Sequence, residues 1–178
     1  MTTNTCNNAK GISVVDGFEL TVSNELSLLS GDLRLTGGAQ LVQNGTVANP
    51  SAGTGKILID QQGLKSSYHY NYWSSPVTAS GTNYTVGNVL KDGTDSAANP
   101  FSPSEIIFGD DFYFADGALT SPIKISTSWI YKYTSVSTVY AGWQHVGSAG
   151  TINQGEGFTM KGPTGIAPFT TPQNYVFS

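Results

Sequence analysis

Five aspartates in the middle of this 178-residue chain could bind a cation. They are Asp92, Asp95, Asp110, Asp111 and Asp116. Loop carboxylates and carbonyls can surround calcium, which takes about six to eight oxygen ligands. The stretch at residues 92–95 lacks the later glutamate of a helix-loop-helix calcium site. These aspartates therefore predict either ordinary capping of turns or a calcium site of another kind. No cofactor other than calcium is expected.

The other reactive residue types do not form a catalytic pattern. His69 and His145 lie in separate aromatic segments and have no Cys, His or acidic residue at the spacing of zinc ligands. The string GTGK at residues 53–56 has Pro50 and Ile57 where a phosphate-binding loop needs Gly and Ser or Thr. No Gly-x-Ser-x-Gly motif occurs. We therefore expect no catalytic residues and no enzyme.

Aromatic residues are the most distinctive feature of the chain. In the string YHYNYW at residues 68–73, alternation predicts that three tyrosines share one face of a strand and that the tryptophan lies on the other. Aromatic rings on a polar β-scaffold can stack on sugars, and they can equally fill a core. The candidate ligand-binding residues are Tyr68, Tyr70, Tyr72, Trp73, Trp129 and Trp143.

Composition and charge exclude several classes of partner. The net charge is −4, and the eight Lys and Arg residues are not clustered, so the chain lacks the basic surface that binds nucleic acid. No apolar run approaches the roughly 20 residues that cross a bilayer, and the start lacks the pattern of a signal peptide. Cys6 is the single cysteine, so it cannot form a disulfide within the chain, although it could pair with another segment of a longer protein.

Alternating apolar and polar residues predict short strands with frequent turns. In the first third these runs lie at residues 18–22, 25–28, 32–35, 40–42 and 56–59. Leucines recur there every six to eight residues, which favours the coils of a parallel β-solenoid. A meander of hairpins is the alternative. Later strands are predicted near 105–108, 111–115, 121–133, 139–146, 157–161 and 173–177, with at most one helical turn, near 86–90 or 103–106.

The predicted fold class is therefore all-β, with solenoid-like N-terminal coils followed by a β-sandwich-like module. Residues 1–11 are interpreted as a flexible leader, 12–63 as the β-repeat segment and 64–178 as the sandwich-like module. An isolated solenoid coil cannot bury its apolar edge, so we expect the natural protein to continue upstream. The oligomeric state stays open, because an exposed coil could stack on a neighbour or be capped.

Several strings resemble a module of large flavobacterial surface proteins, which are similar to gliding adhesins and exported by the type IX secretion system. They are YNYWSSPV at 70–77, LKDGTD at 90–95, WIYKY at 129–133, INQGEGFTMKG at 152–162 and QNYVF at 173–177. The resemblance covers about residues 56–178, and the strands at 18–43 look like the repeats that precede this module.

The resemblance implies a non-catalytic structural or adhesive module at the cell surface, with carbohydrate binding as the alternative. It implies other domains of the same polypeptide as partners, surface glycans as further partners, and no membrane insertion. Because such modules continue past the QNYVF strand, the chain is expected to be truncated there, with residues 173–177 at a sheet edge. Asp95-Ser96-Ala97 is similar to the short acceptor used in that group for O-linked glycans, which makes Ser96 a candidate glycosylation site.

Overall fold

A computed structural model describes residues 10–50, 52–78, 82–95, 98–110, 117–134, 142–164 and 171–178. Its strands are β1 (Gly11–Val14), β2 (Glu19–Val22), β3 (Asp32–Leu35), β4 (Gln40–Gln43), β5 (Ile57–Leu64), β6 (Tyr70–Ser74), β7 (Leu90–Asp92), β8 (Ser104–Glu105), β9 (Ile107–Gly109), β10 (Lys124–Ser126), β11 (Tyr131–Tyr133), β12 (Trp143–His145), β13 (Gly157–Lys161) and β14 (Pro172–Phe177). A one-turn helix, α1 (Val86–Val89), and a 3-10 helix, Thr127–Trp129, are the helical elements of these ranges. The all-β prediction is confirmed.

The first five strands wind as a parallel solenoid. β1, β3 and β5 pair in parallel, and β2 pairs in parallel with β4. Gly11 lies opposite Asp32 and Glu19 lies opposite Gln40, a separation of 21 residues in both pairs. The first coil therefore repeats after 21 residues at both rungs, and in the next parallel pair Leu33 lies opposite Ile57, a separation of 24 residues. The solenoid thus forms instead of the hairpin meander.

Glycine and aspartate hold the corners of neighbouring coils together. A Cβ added to Gly45 would lie 1.7 Å from the carbonyl oxygen of Asn24, in the coil below, so only glycine permits this close stacking. The Asp16 carboxylate accepts a hydrogen bond from the Gly38 backbone N–H at 2.7 Å. Asp32 accepts one from the Lys56 N–H at 2.8 Å. Turn residues thus fix the register that the strands then extend.

The solenoid sheet continues into the second half of the chain. β5 pairs in parallel with β3 on one edge and antiparallel with β14 on the other. β14 pairs with β7, and β7 with β8, which gives one six-stranded sheet in the order β1-β3-β5-β14-β7-β8. The boundary predicted between residues 63 and 64 coincides with the end of β5, at a point where the sheet itself is continuous.

A second sheet completes the sandwich. β12, β11, β13 and β6 form an antiparallel sheet in that order, and β9 and β10 form a separate parallel pair. The core contains residues from both large sheets, among them Leu90, Phe177 and Met160, which are fully buried. The Trp73 ring reaches into the core, with its centroid 5.0 Å from that of Tyr175. Successive side chains of β6 therefore point alternately into this aromatic core and to an outer face, as the two-residue period of a strand requires.

A buried ion pair between two solenoid strands is hydrogen-bonded to residues of the second half of the chain. Arg34 of β3 is fully buried, and its Nη2 lies 2.9 Å from Oδ1 of Asp60 in β5. Asn174 of β14 donates from Nδ2 to Asp60 Oδ2 at 3.1 Å and to the Gly93 carbonyl at 3.1 Å. Arg34 Nη1 also donates to the carbonyl of Pro100. This network crosses three adjacent strands, and nothing in the spacing of these residues had pointed to it.

Several sequence predictions at the level of single elements are wrong. Residues 25–28 are not a strand, because the chain turns there: the Leu26 N–H bonds the Asn49 side chain, and the Leu28 carbonyl accepts from Gly55. The long strand predicted at 121–133 is interrupted by the 3-10 helix. Gly11, placed in the flexible leader, begins β1. The strand predicted at 111–115 lies outside the described residues.

The C-terminal strand also differs from its predicted position. Residues 173–177 were expected at a sheet edge, whereas β14 lies between β5 and β7. Tyr175, Val176 and Phe177 are fully buried there. Pro172 begins the strand, where a missing N–H costs least. The predicted helical turn near 86–90 is confirmed as α1, which Thr85 caps by accepting the Asn88 N–H at 3.2 Å.

Candidate ligand-binding site

The candidate calcium ligands do not come together among the described residues. Both carboxylate oxygens of buried Asp92 accept backbone hydrogen bonds, Oδ1 from Thr94 at 2.8 Å and Oδ2 from Ile123 at 2.9 Å. Asp95 and Asp110 are exposed. Asp111 and Asp116 lie outside the described residues, as does the glycosylation candidate Ser96. Asp92 thus caps a turn and ties it to the neighbouring loop.

Within the described ranges, no three His, Cys, Asp or Glu side chains gather closely enough to hold a metal ion. His145 contacts the adjoining 3-10 helix and strand: its Nε2 lies 2.9 Å from the Thr127 carbonyl, and its ring lies edge-on to Tyr131 at 5.2 Å. His69 lies in the turn before β6. The contacts of His145 thus serve local structure.

The six aromatic candidates differ in their environments. Trp73 packs against core rings, including Phe158 at 6.3 Å and Phe177 at 5.9 Å. Tyr68 and Tyr72 are 66% and 68% exposed. The alternation read from residues 68–73 therefore assigns the faces of β6 as the structure has them, with Trp73 inward and Tyr72 outward.

A second group of candidates surrounds Lys161 on β13. The Lys161 ammonium lies 3.7 Å from the centre of the Trp129 ring and 5.4 Å from that of Tyr70. At these distances a cation is attracted to the face of an aromatic ring. Tyr70 lies directly opposite Lys161 in the sheet. One end of the outer face is thus closed by a cation between two rings.

The outer face of the four-stranded sheet collects aromatic side chains in rows. In one row Tyr72, Thr159, Tyr131 and His145 lie side by side on successive strands. In the next row Ser74 lies opposite Gly157, and Tyr133 lies opposite Trp143. The Tyr133 and Trp143 rings meet edge to face at 5.2 Å. Gly157 therefore leaves a gap between Ser74 and the aromatic pair on this face.

This gap is a trough of about 430 Å³ on the sheet surface. We call it the Gly157 trough. Its lining residues are Tyr72, Trp73, Ser74, Tyr133, Trp143, Gly155, Gly157, Phe158 and Thr159. Its volume lies in the lower part of the range of about 300–1,000 Å³ typical of small-ligand sites. Rings and hydroxyls together line it, as expected of a site for a polar molecule with an apolar face.

The turn at one end of the trough is held from several directions. The Glu156 N–H bonds the Asn153 carbonyl at 3.0 Å, and Gly155 has a positive φ of 79°, which a type II turn requires. The Glu156 carbonyl accepts hydrogen bonds from the Ser74 hydroxyl at 3.0 Å and the Tyr84 hydroxyl at 2.6 Å. Hydrogen bonds within the chain thus hold the turn that borders the trough.

Charges next to the trough are already paired. The Glu156 carboxylate accepts from the backbone and side-chain N–H groups of Asn153 at 3.0 and 2.8 Å, and Lys132 Nζ lies 3.2 Å away. These bonds, chiefly those from Asn153, hold the pKa of Glu156 below its ordinary value. Burial raises the pKa of the Tyr84 hydroxyl, which keeps it a neutral donor.

Sequence reasoning identified Tyr72, Trp73 and Trp143 but missed the other six residues of the trough. These are Ser74, Tyr133, Gly155, Gly157, Phe158 and Thr159. The alternation of Tyr131 and Tyr133 could have placed both on the outer face. The gap at Gly157 has no such signal, because it depends on which strands flank β13.

The chain has no counterpart in the comparisons with known proteins: no protein-family model, curated protein or solved structure matches it. In the part of the chain that the structure describes, no helix has the length and apolar character needed to cross a membrane.

Proposed function

We propose that the chain is a non-catalytic structural and adhesive module of a secreted bacterial cell-surface protein. One observation carries this proposal: a single six-stranded sheet runs from the solenoid coils into the sandwich. A continuous hydrogen-bonded ladder resists deformation along its length, which suits a spacer that presents its outer faces to other molecules.

The resemblance of residues 70–77 and 152–162 to modules of exported surface proteins supports the same function. On this resemblance we propose that the chain lies outside the cell, that it is exported by the type IX secretion system, and that other domains of its polypeptide are its partners. Asp92 accepts backbone hydrogen bonds from a turn and a loop, and the His145 ring lies against the Thr127 carbonyl, which favours passive presentation over catalysis.

Pulling the full chain between its termini by single-molecule force spectroscopy tests the structural role. We expect the coils and the sandwich to rupture in one event, because β3, β5 and β14 share one ladder and the Arg34–Asp60 pair. Separate rupture of the coils at low force would contradict a stiff spacer.

The surface location and the absence of catalysis need measurements of their own. Antibody labelling of intact cells of the bacterium that encodes the chain should detect it, and labelling only after permeabilisation would contradict export. Mass spectrometry of glycans and peptides incubated with the chain should show no change. Any turnover by the pure protein would overturn the non-catalytic proposal.

Carbohydrate binding is a second candidate function, and the Gly157 trough is the observation that favours it. A glycan array probed with the full chain should detect binding. Binding that survives chelation would favour recognition without metal, whereas binding lost on chelation would favour a calcium-assisted site. Silence in both conditions would contradict this second function and leave the structural role standing.

A further inference from the structure

We propose that the Gly157 trough binds a single neutral pyranose ring, with the C–H face of the sugar against the tyrosine and tryptophan rings. This inference rests on carbohydrate binding as the second candidate function. It adds the position of the site and the chemical class of its ligand.

The shape of the trough supports one ring. Gly157 lies in the middle strand of three, between Ser74 of β6 and the Tyr133 position of β11. With no side chain at Gly157, the neighbouring side chains form walls around a floor of backbone and Thr159. Tyr72 rises on the β6 side, 68% exposed, and the Tyr133–Trp143 pair rises on the other. Two aromatic walls beside one missing side chain fit a flat ring.

The lining supports a polyhydroxylated ligand. The C–H bonds on one face of a pyranose are weakly positive and are attracted to the electron-rich face of an aromatic ring. The rim of hydroxyls needs hydrogen-bonding partners, which the hydroxyls of Ser74 and Thr159 and the backbone around Gly155 supply. A purely apolar ligand would make no use of these polar groups.

Charge supports a neutral sugar. None of the described residues that line the trough carries a charge. The charged groups on neighbouring residues have partners, since Lys132 is paired with Glu156 at 3.2 Å and Lys161 lies over the Trp129 ring at 3.7 Å. An acidic sugar would lose water around its carboxylate without gaining a cationic partner. The net charge of −4 also disfavours anionic ligands.

The test uses the full chain and a defined set of probes. Neutral hexasaccharides of glucose, xylose, mannose and galactose are compared with oligogalacturonate and with a decaproline peptide, which also stacks on aromatic rings. Binding is followed by titration calorimetry and by protein NMR. We expect at least one neutral hexasaccharide to bind and to shift the resonances of Gly157 and Thr159, with oligogalacturonate binding at least tenfold more weakly.

Variants separate this site from other aromatic surfaces. Tyr72→Ala should weaken binding about tenfold, a change that corresponds to about 1.4 kcal/mol of lost ring stacking. Gly157→Val should abolish binding by filling the floor. Tyr68→Ala is the matched control, because Tyr68 is as exposed as Tyr72 and does not line the trough, and it should bind as the parent chain does.

Each contrary outcome has a separate meaning. If a neutral hexasaccharide binds Tyr72→Ala and Gly157→Val as tightly as the parent chain, the site is elsewhere and only carbohydrate binding stands. If no neutral saccharide binds, both this inference and the second function fail, while the structural role is unaffected. Decaproline binding in the trough would show that the ligand class is wrong. If Gly157→Val does not fold, exposed Tyr72 keeps the test decisive.

Discussion

Arg34 and Asp60 are charged side chains buried where apolar residues would ordinarily lie. Arg34 is 0% exposed and Asp60 5% exposed, and Nε of Arg34 donates to Oδ1 of Asp60 at 3.0 Å. A buried charge is tolerated only when it is paired and hydrogen-bonded. The pair therefore makes the position of β3 relative to β5 specific, because any shift in register would separate two buried charges.

Asp60→Ala should lower the free energy of unfolding by about 3–5 kcal/mol, because it leaves the Arg34 guanidinium buried without its partner. Urea denaturation of both proteins measures the change. The double variant Arg34→Met with Asp60→Leu should recover most of the loss, since it removes both charges. A loss below 1 kcal/mol in the single variant would contradict a buried pair.

Glu156 should make stability depend on pH in the acid range. Its folded-state pKa is lowered, chiefly by the hydrogen bonds from Asn153, so its contribution is present above its ordinary pKa of 4.5 and is lost as pH falls through the folded value. In urea denaturation from pH 7 to pH 3, Glu156→Gln should be less stable than the parent at pH 7, and this difference should shrink below pH 4.5.

The matched control is Glu105→Gln, which removes a more exposed ion pair, Lys91–Glu105. We expect at most about 1 kcal/mol of change there at any pH. A difference for Glu156→Gln that grows as the pH falls would show that the sign is wrong.

The residues of the trough show what alternation can and cannot predict. Period two separated Tyr72 from Trp73 correctly, because the side chains of one strand point to alternate faces whatever the neighbours are. It could not place Tyr133 beside Gly157, since that contact depends on the order β12-β11-β13-β6, in which no strand follows its neighbour in sequence except β11 and β12.

At the level of elements, the corners of the solenoid are as specific as its strands. Gly45→Ala should destabilise the protein by about 1–3 kcal/mol, because the added Cβ would lie 1.7 Å from the Asn24 carbonyl oxygen and would push two coils apart. Thermal denaturation measures the change. Gly31→Ala is the matched control, since its nearest neighbour would be the Lys10 carbonyl oxygen at 3.7 Å, an ordinary contact. Equal effects of the two substitutions would contradict the stacking of this corner.

The prediction of strands succeeded where the residues of one strand determine its structure. It failed where the path of the coil determines the structure. The sequence pattern located β2, β3 and β13, although burial alternates along β2 alone of the three, since β3 and β13 bury residues on both faces. The same alternation at residues 25–28 belongs to a turn, where Leu26 and Leu28 bond to the next coil through Asn49 and Gly55. The 21-residue repeat, visible in Gly17 and Gly38, would have separated the two cases.

Across the whole molecule, stability should follow the order of strands in the long sheet. β14 is hydrogen-bonded on both edges and is buried, whereas β1 and β8 are the outermost strands. In native-state hydrogen exchange, the amides of β14 should exchange most slowly, at the rate of global unfolding, and those of β1 and β8 fastest. β14 amides that exchange as fast as those of β1 would contradict a shared ladder.

β5 pairs in parallel with β3 on one edge and antiparallel with β14 on the other. Because of this difference, the parallel stacking of coils ends where the sandwich begins. Coils can be added to such a sheet on the β1 side without disturbing β14. Each inserted copy of the 21-residue unit would lengthen the rod by one strand spacing, about 4.8 Å. The length of a protein built on this plan changes in steps of one coil, because duplicating or deleting one unit of sequence adds or removes one coil.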